Sequence, residues 1–289
     1  MLFRSILWVV DSNITVDAGT LARAVDILHN PPSTSRRIAL VHHVPFAFAN
    51  QLTFGSRLEE AFLNTNHAKM YIALNTVSID SCVTGKSNLY RRSDVECIDG
   101  SLKPHASRNA YRLGERGLAA FGKFLAEDNM IAGALWHELD LRHDLSCDVA
   151  RNAIGNMNFS DYIWRRVRWI RVRKHMSLAA TLIEPFMESI VLSLLAAASF
   201  RRLIGLPVWI FLPIHFILLI SVDLDVYCSL AGYPLPSSKR WSFLVAWAVR
   251  EVLALPIWVL AVFGDEVEWR GKRYQILRNG EVRRAGRKG

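Results

Sequence analysis

The chain has 289 residues, 51% of them apolar, with a mean hydropathy of +0.17 and a formal net charge of +9. That length holds one or two domains, and that apolar content is unusual for a purely soluble protein. The four cysteines (Cys82, Cys97, Cys147, Cys228) show neither CxxC spacing nor framework density, which excludes a disulfide scaffold and leaves reduced thiols facing the cytosol.

The charge is segregated. Residues 161–175 carry six Lys/Arg against one Asp, residues 264–289 carry eight against four acids, and the remainder balances. Basic blocks beside apolar runs point to a membrane surface or a phosphorylated ligand, and no nucleic-acid signature accompanies them, so no nucleic-acid partner is expected.

MLFRSILWVV runs into Asp11 without a small-residue cleavage site, so no secretory leader is expected. Ser5 to Val10 reads as a buried strand that delivers Asp11 into a loop. Residues 17–30 predict a helix with Leu21, Val25 and Leu28 on one face, stopped by Asn30-Pro31-Pro32. Arg37 to Val44 predicts a strand ending at Pro45, Arg57 to about Asn75 a helix, and Ile79 to Val83 a strand. Residues 99–116 are polar and turn-rich and read as a mobile surface loop. Gly117 to Leu139 predicts a helical stretch and Leu145 to Ala150 a last strand. Alternation of this kind implies an α/β fold with a mostly parallel sheet.

Beyond residue 160 the character changes. Asp161 to Lys174, DYIWRRVRWIRVRK, packs six cations and two Trp into fourteen residues. On a helix Arg165, Arg168 and Trp169 share a face, where guanidinium forks suit phosphate oxygens and the indole offers a flat apolar surface. A juxtamembrane cluster holding anionic lipid heads explains the same residues. Leu203 to Val222 and Phe243 to Phe263 are each long enough to span a bilayer, the second interrupted by Arg250-Glu251. With basic segments before and after on one face, an even number of crossings follows. Residues 178–200, which carry Glu184 and Glu188, then read as interfacial or re-entrant.

Three tempting motifs fail: Thr84-Gly85-Lys86-Ser87 lacks the leading glycine of a phosphate loop, His137-Glu138 lacks the second zincin histidine, and His42-His43 reads as structural. Two carboxylates remain open. Asp11 either ligates a metal-bound diphosphate or closes an Asx turn. Glu127-Asp128 either supplies a general base or forms a solvated helix face.

The ordered set of short motifs resembles the membrane-integrated inverting glycosyltransferases, and within them the ceramide glucosyltransferase (glucosylceramide synthase) family. The residues that carry it are Val10-Asp11-Ser12, Val41-His42-His43-Val44-Pro45, Asn64-Thr65-Asn66-His67, Cys82-Val83-Thr84-Gly85, Ala126-Glu127-Asp128 and Arg165 to Trp169. Val249-Arg250-Glu251 and Trp269-Arg270-Gly271-Lys272-Arg273-Tyr274 follow.

The resemblance implies a GT-A-like nucleotide-diphospho-sugar transferase domain over residues 1–160, incomplete at its N-terminus. After it come a basic juxtamembrane segment (161–177), membrane helices (178–263) and a basic tail (264–289). It implies inverting transfer of glucose from UDP-glucose to the primary hydroxyl of ceramide. Asp128 would be the base, and Asp11 would hold a divalent cation (Mg²⁺ or Mn²⁺) on the diphosphate. Arg165, Arg168 and Trp169 would hold the sugar-diphosphate, with His67 and Cys82 near the nucleotide. The partners implied are UDP-glucose, ceramide and the bilayer of the Golgi or endoplasmic reticulum, with the catalytic face cytosolic; a homo-oligomer is left open. The family's anchor and earlier Asp motif have no counterpart before Met1, so a truncated copy is expected. The rival readings are another membrane-bound processive-type transferase and an inactive paralogue.

Overall fold

The structure is a computed structural model that describes residues 5–30, 36–49, 53–104 and 115–285. In chain order the elements are β1 (Ile6–Val10), β2 (Ile14–Thr15), α1 (Thr20–His29), β3 (Ile38–Ala49) and α2 (Phe54–Phe62). A π-helical turn, Leu63–His67, leads into α3 (Ala68–Val77), followed by β4 (Ser87–Arg91), α4 (Arg92–Val95), a 3₁₀ turn (Gly117–Phe121), α5 (Glu127–His137) and β5 (Arg142–Ile154). The C-terminal part holds α6 (Phe159–Met176), α7 (Leu178–Met187), α8 (Ser189–Ile204), α9 (Val208–Ala231), a short 3₁₀ turn and α10 (Arg240–Val262). It closes with β6 (Glu266–Trp269), β7 (Lys272–Ile276) and β8 (Val282–Arg284).

These elements form two units. The first comprises residues 1–48 and 67–153 and the second residues 49–66 and 154–289. In the first, five strands lie in the order β1-β4-β3-β5-β2. β3 is central, with ten consecutive buried residues. α1 closes one face with Ala24 and Leu28 on Ile38, Val41 and Leu89, and Ile6 and Trp8 pack at the edge. Burial of such aliphatic side chains is worth about 1.5–3 kcal/mol each.

Several expectations change here. The described registers, β1 with β4, β3 with β4 and β2 with β5, are antiparallel, not mostly parallel. Between β3 and β4 the chain leaves this unit as α2 and returns as α3, so it builds no compact crossover. β3 runs through Pro45 instead of stopping there, leaving His42 and His43 inside it. Ile79 to Val83 is not a strand: Ile79 is 81% exposed, and the pairing segment is β4, whose buried Ser87 and Asn88 hid it from a hydrophobicity reading. The 117–139 stretch divides into the 3₁₀ turn and α5. The face of α1 is set by Ala24 and Leu28, while Leu21 points outward. Most of the 99–116 loop and the Pro31-Pro32 stop lie outside the described residues.

In the second unit α2 packs against α6 and α10. Gly55 makes this possible, because a Cβ there would collide with the Asn158 carbonyl oxygen. α6 begins with a capping box: the Asp161 N–H donates to Asn158 Oδ1 and the Asn158 N–H to Asp161 Oδ2, both at 2.9 Å. By length and composition α9 and α10 are apolar enough to cross a membrane, and α7 with α8, bent by 63°, would make a third candidate. The segment expected as a basic tail is folded as the antiparallel sheet β6-β7-β8.

Candidate active site

In the first unit the chemistry gathers around the loop Cys82 to Lys86. α5 brings its first turn to this loop so closely that a Cβ on Gly85 would stand 2.9 Å from Asp128 Oδ2 and 3.1 Å from its Cγ. Glycine is therefore what lets the carboxylate lie against the loop backbone. The carboxyl of Asp128, a half-buried residue, is pushed up to about 6, first by burial and then by the charge of Glu127, against hydrogen bonding from Asn129. The positive end of α5 favours the ionised form by well under one pKa unit, so desolvation wins. A carboxylate with that proton affinity suits a general base near neutral pH.

Asp11 reaches the other side of the same loop. Its N–H donates to the Lys86 carbonyl at 3.2 Å, and the Lys86 ammonium donates to Asp11 Oδ2 at 2.6 Å. The strand-end placement expected for Asp11 holds, but its carboxylate is engaged by Lys86. Among the described residues no group of three or more His, Cys, Asp or Glu side chains could hold an ion. The residues present thus do not fit a preformed divalent-cation site.

His67 and Cys82 connect to the loop through two residues that the sequence reading missed. The ring of His67 stacks on Tyr71 with centroids 5.8 Å apart. The Tyr71 hydroxyl accepts the Thr84 N–H at 3.2 Å and meets His42 Nδ1 on its other side. Asn75 donates to the Cys82 carbonyl at 2.9 Å and to the Tyr71 carbonyl at 2.8 Å. His67, Tyr71 and Asn75 recur every four residues, one stripe of a helix, and that spacing was the available signal. Burial holds His42 well below the usual histidine range and His143 at about 4, so these interior imidazoles are neutral. His43 Nδ1 donates to the Ser87 carbonyl at 3.1 Å, in keeping with a structural pair.

The second unit holds the basic motif, described by itself. Arg165 Nε donates at 2.8 Å to Oε1 of Glu59, a carboxylate only 1% exposed. The guanidinium carbons of Arg165 and Arg166 lie 5.3 and 5.0 Å from the Trp169 ring centre, and that of Arg166 lies 3.4 Å from the Phe62 ring centre. Among the described residues neither Arg166 nor Arg168 makes a hydrogen bond or ion pair; Arg166 is buried against the two rings, whereas Arg168 is half-buried beside none of them, and burial together with Arg165 opposes its charge. An anion would relieve both conditions. The end of the helix is committed elsewhere. Lys174 Nζ donates to the carbonyls of Val262 (3.0 Å) and Gly264 (3.1 Å) and to Asp265 (2.6 Å), and Arg171 donates to Leu260 O and Glu266 O. Those cations cap α10 and do not make a free lipid-binding patch.

The family model for glycosyl transferase family 21 matches residues 4–282. Among curated relatives, a ceramide glucosyltransferase of Komagataella phaffii is 35% identical over 94% of this chain and 64% of its own length. Those of Candida albicans and Pyricularia oryzae are 29% and 32% identical, over 95% and 94% of this chain. The chain spans 69% and 63% of the lengths of these two.

Proposed function

The chain belongs to glycosyl transferase family 21, and from that membership we propose that it moves glucose from UDP-glucose to the primary hydroxyl of ceramide, with inversion. The observation that carries the reading is the Asp128 carboxylate, raised to about 6 and laid against Gly85, in a chain similar along most of its length to ceramide glucosyltransferases. In the proposed step Asp128 takes the proton of the primary hydroxyl while that oxygen attacks the anomeric carbon opposite the diphosphate. The bond from that carbon to the diphosphate oxygen breaks, and UDP departs with the electron pair.

Arg168 is proposed to meet the diphosphate, with Arg165 and Trp169 holding its surroundings in place, and His67 and Cys82 to border the nucleotide through Tyr71 and Asn75. Since the described residues assemble no ligand set, a divalent cation would enter the proposal only as a companion of the diphosphate, with the Asp11 carboxylate beside it once released from Lys86. Proton transfer and displacement by the residues named do not run through it. The proposed setting is a Golgi or endoplasmic reticulum membrane, crossed more than once, with the active site on the cytosolic side. Nothing in the fold adds to the homo-oligomer that the sequence leaves open.

The test is transfer from labelled UDP-glucose to ceramide by membranes containing the chain, with Asp128→Asn as control. Monoglucosylated ceramide from the wild type, reduced on the order of 10²-fold or more in the variant, is expected. A polymeric glucan, or equal product from both, would overturn the reading.

A further inference from the structure

We infer that α10 lies along the membrane surface with its outer face in the lipid boundary, and that the chain crosses the bilayer through the bent α7–α8 pair and α9. Length and composition alone mark α10 as a span, but its packing disagrees. It lies against both α2 and α6. At its start Lys239 partly offsets the burial that raises the carboxyl of Glu60 on α2. At its end Lys174 of α6 donates to the Val262 carbonyl at 3.0 Å. Between these points Arg250 and Glu251 are 2% and 4% exposed on the inward face. A bilayer-spanning α10 would draw the charged side chains of α2 and α6 into hydrocarbon beside it, where a cation or carboxylate is strongly disfavoured.

The opposite face of α10 is a continuous apolar stripe. Trp241, Val245, Ala248, Val252, Leu255 and Val259 are all exposed, at the three- and four-residue spacing of one helix side. A helix with one side packed on charged protein elements and the other presenting Trp and aliphatic residues fits a bilayer interface. α9 packs along α8, where Ser193 Oγ meets His215 Nδ1 at 2.9 Å. It reaches α10 through its last turns: Trp247 Nε1 donates to Asp223 at 2.6 Å, and Tyr227 meets Phe243 edge to face. Since α6 and both ends of α10 share one side, the apolar run between them crosses an even number of times. The bent α7–α8 pair goes out and α9 returns. The turn at Gly205 to Pro207, preceded by Arg201 and Arg202, then lies across the membrane.

Two measurements on the full chain in sealed vesicles test this, with the exposed Cys97 and Cys147 replaced by serine. A membrane-impermeant maleimide should label Ser238→Cys and Asn279→Cys from one side and Gly205→Cys from the other. Labelling of 238 and 279 from opposite sides would overturn the inference. Nitroxides on cysteines placed at 245, 252 and 259 should report the same depth. A gradient approaching the roughly 21 Å expected of fourteen residues in an upright helix would overturn it as well, and this readout stands if any one loop variant fails to fold.

Discussion

At the scale of single residues, Asp128 joins two properties that a sequence separates by 43 positions from its loop partner: a carboxyl raised to about 6 and contact with Gly85. If it takes the acceptor's proton, the rate of transfer rises with pH through about 6 and then levels, and Asp128→Asn flattens that limb. The same burial has a cost. The native carboxyl keeps its proton up to about pH 6, whereas the unfolded one releases it near the ordinary carboxylate value. This favours the native state at low pH, and the advantage is lost as pH climbs through 6. The shift of about two units corresponds to roughly 1–3 kcal/mol once partial exposure is discounted. Asp128→Asn should therefore unfold at a higher temperature than wild type at pH 7.5 and show no such gain at pH 4, as checked by thermal melts in detergent. Gly85→Ala, whose methyl would press on the carboxylate, should lower kcat while leaving UDP binding intact; unchanged kcat would show that the close approach is not used. Asp128 became a candidate only through the family resemblance, since its Glu-Asp pair alone also reads as a solvated helix face, and Tyr71 and Lys86 gave no such signal. One is a buried tyrosine that looks like core, and the other belonged to a phosphate-loop pattern that fails.

At the scale of elements, helices were easier to read than strands. α1, α6, α9 and α10 announce themselves by apolar periodicity or length, and the Asn158–Asp161 box marks where α6 begins. β4 escaped because a strand buried in mid-sheet carries Ser87 and Asn88 at inward positions, where hydrogen bonds and not apolar contacts satisfy it: Ser87 Oγ accepts from Trp8 Nε1 at 3.0 Å. Periodicity reports apolar burial only. The sheet's direction was misread for a related reason, since strand–helix alternation does not say that α2 packs with α6 and α10. The α2–α6 junction is where a small change should be felt. Asn158→Ala should cost about 1 kcal/mol by removing one half of the box. Gly55→Ala should cost more, because its methyl would meet backbone that cannot rotate away. Equal melting temperatures for the two variants would contradict the close approach at Gly55.

For the whole molecule, the net charge of +9 invites a picture of a basic surface spread over anionic lipid, and the structure spends much of that charge internally. Arg171 and Lys174 are bound to the Leu260 and Val262 carbonyls at the end of α10, Arg173 meets Glu184, and Arg165 meets Glu59. Arg166 is buried against Phe62 and Trp169, and Arg168 is half-buried; neither has a hydrogen-bonding or ion-pair partner among the described residues. Two cations six residues apart on one helix should thus fail in different ways. Lys174→Met removes hydrogen bonds at a helix end and should lower the melting temperature by about 2–4 °C for each kcal/mol lost, with the KM for the donor nearly unchanged. Arg168→Lys keeps the charge but loses the fork that grips two phosphate oxygens, and should raise the donor KM about tenfold at an unchanged melting temperature. Raising the anionic lipid content of the vesicles should alter the wild-type rate by less than about twofold, because few of these guanidinium and ammonium groups are free to meet a headgroup. A steep dependence on anionic lipid, with Arg168→Lys behaving as wild type toward the donor, would return the basic stretch to the membrane and take it away from the diphosphate.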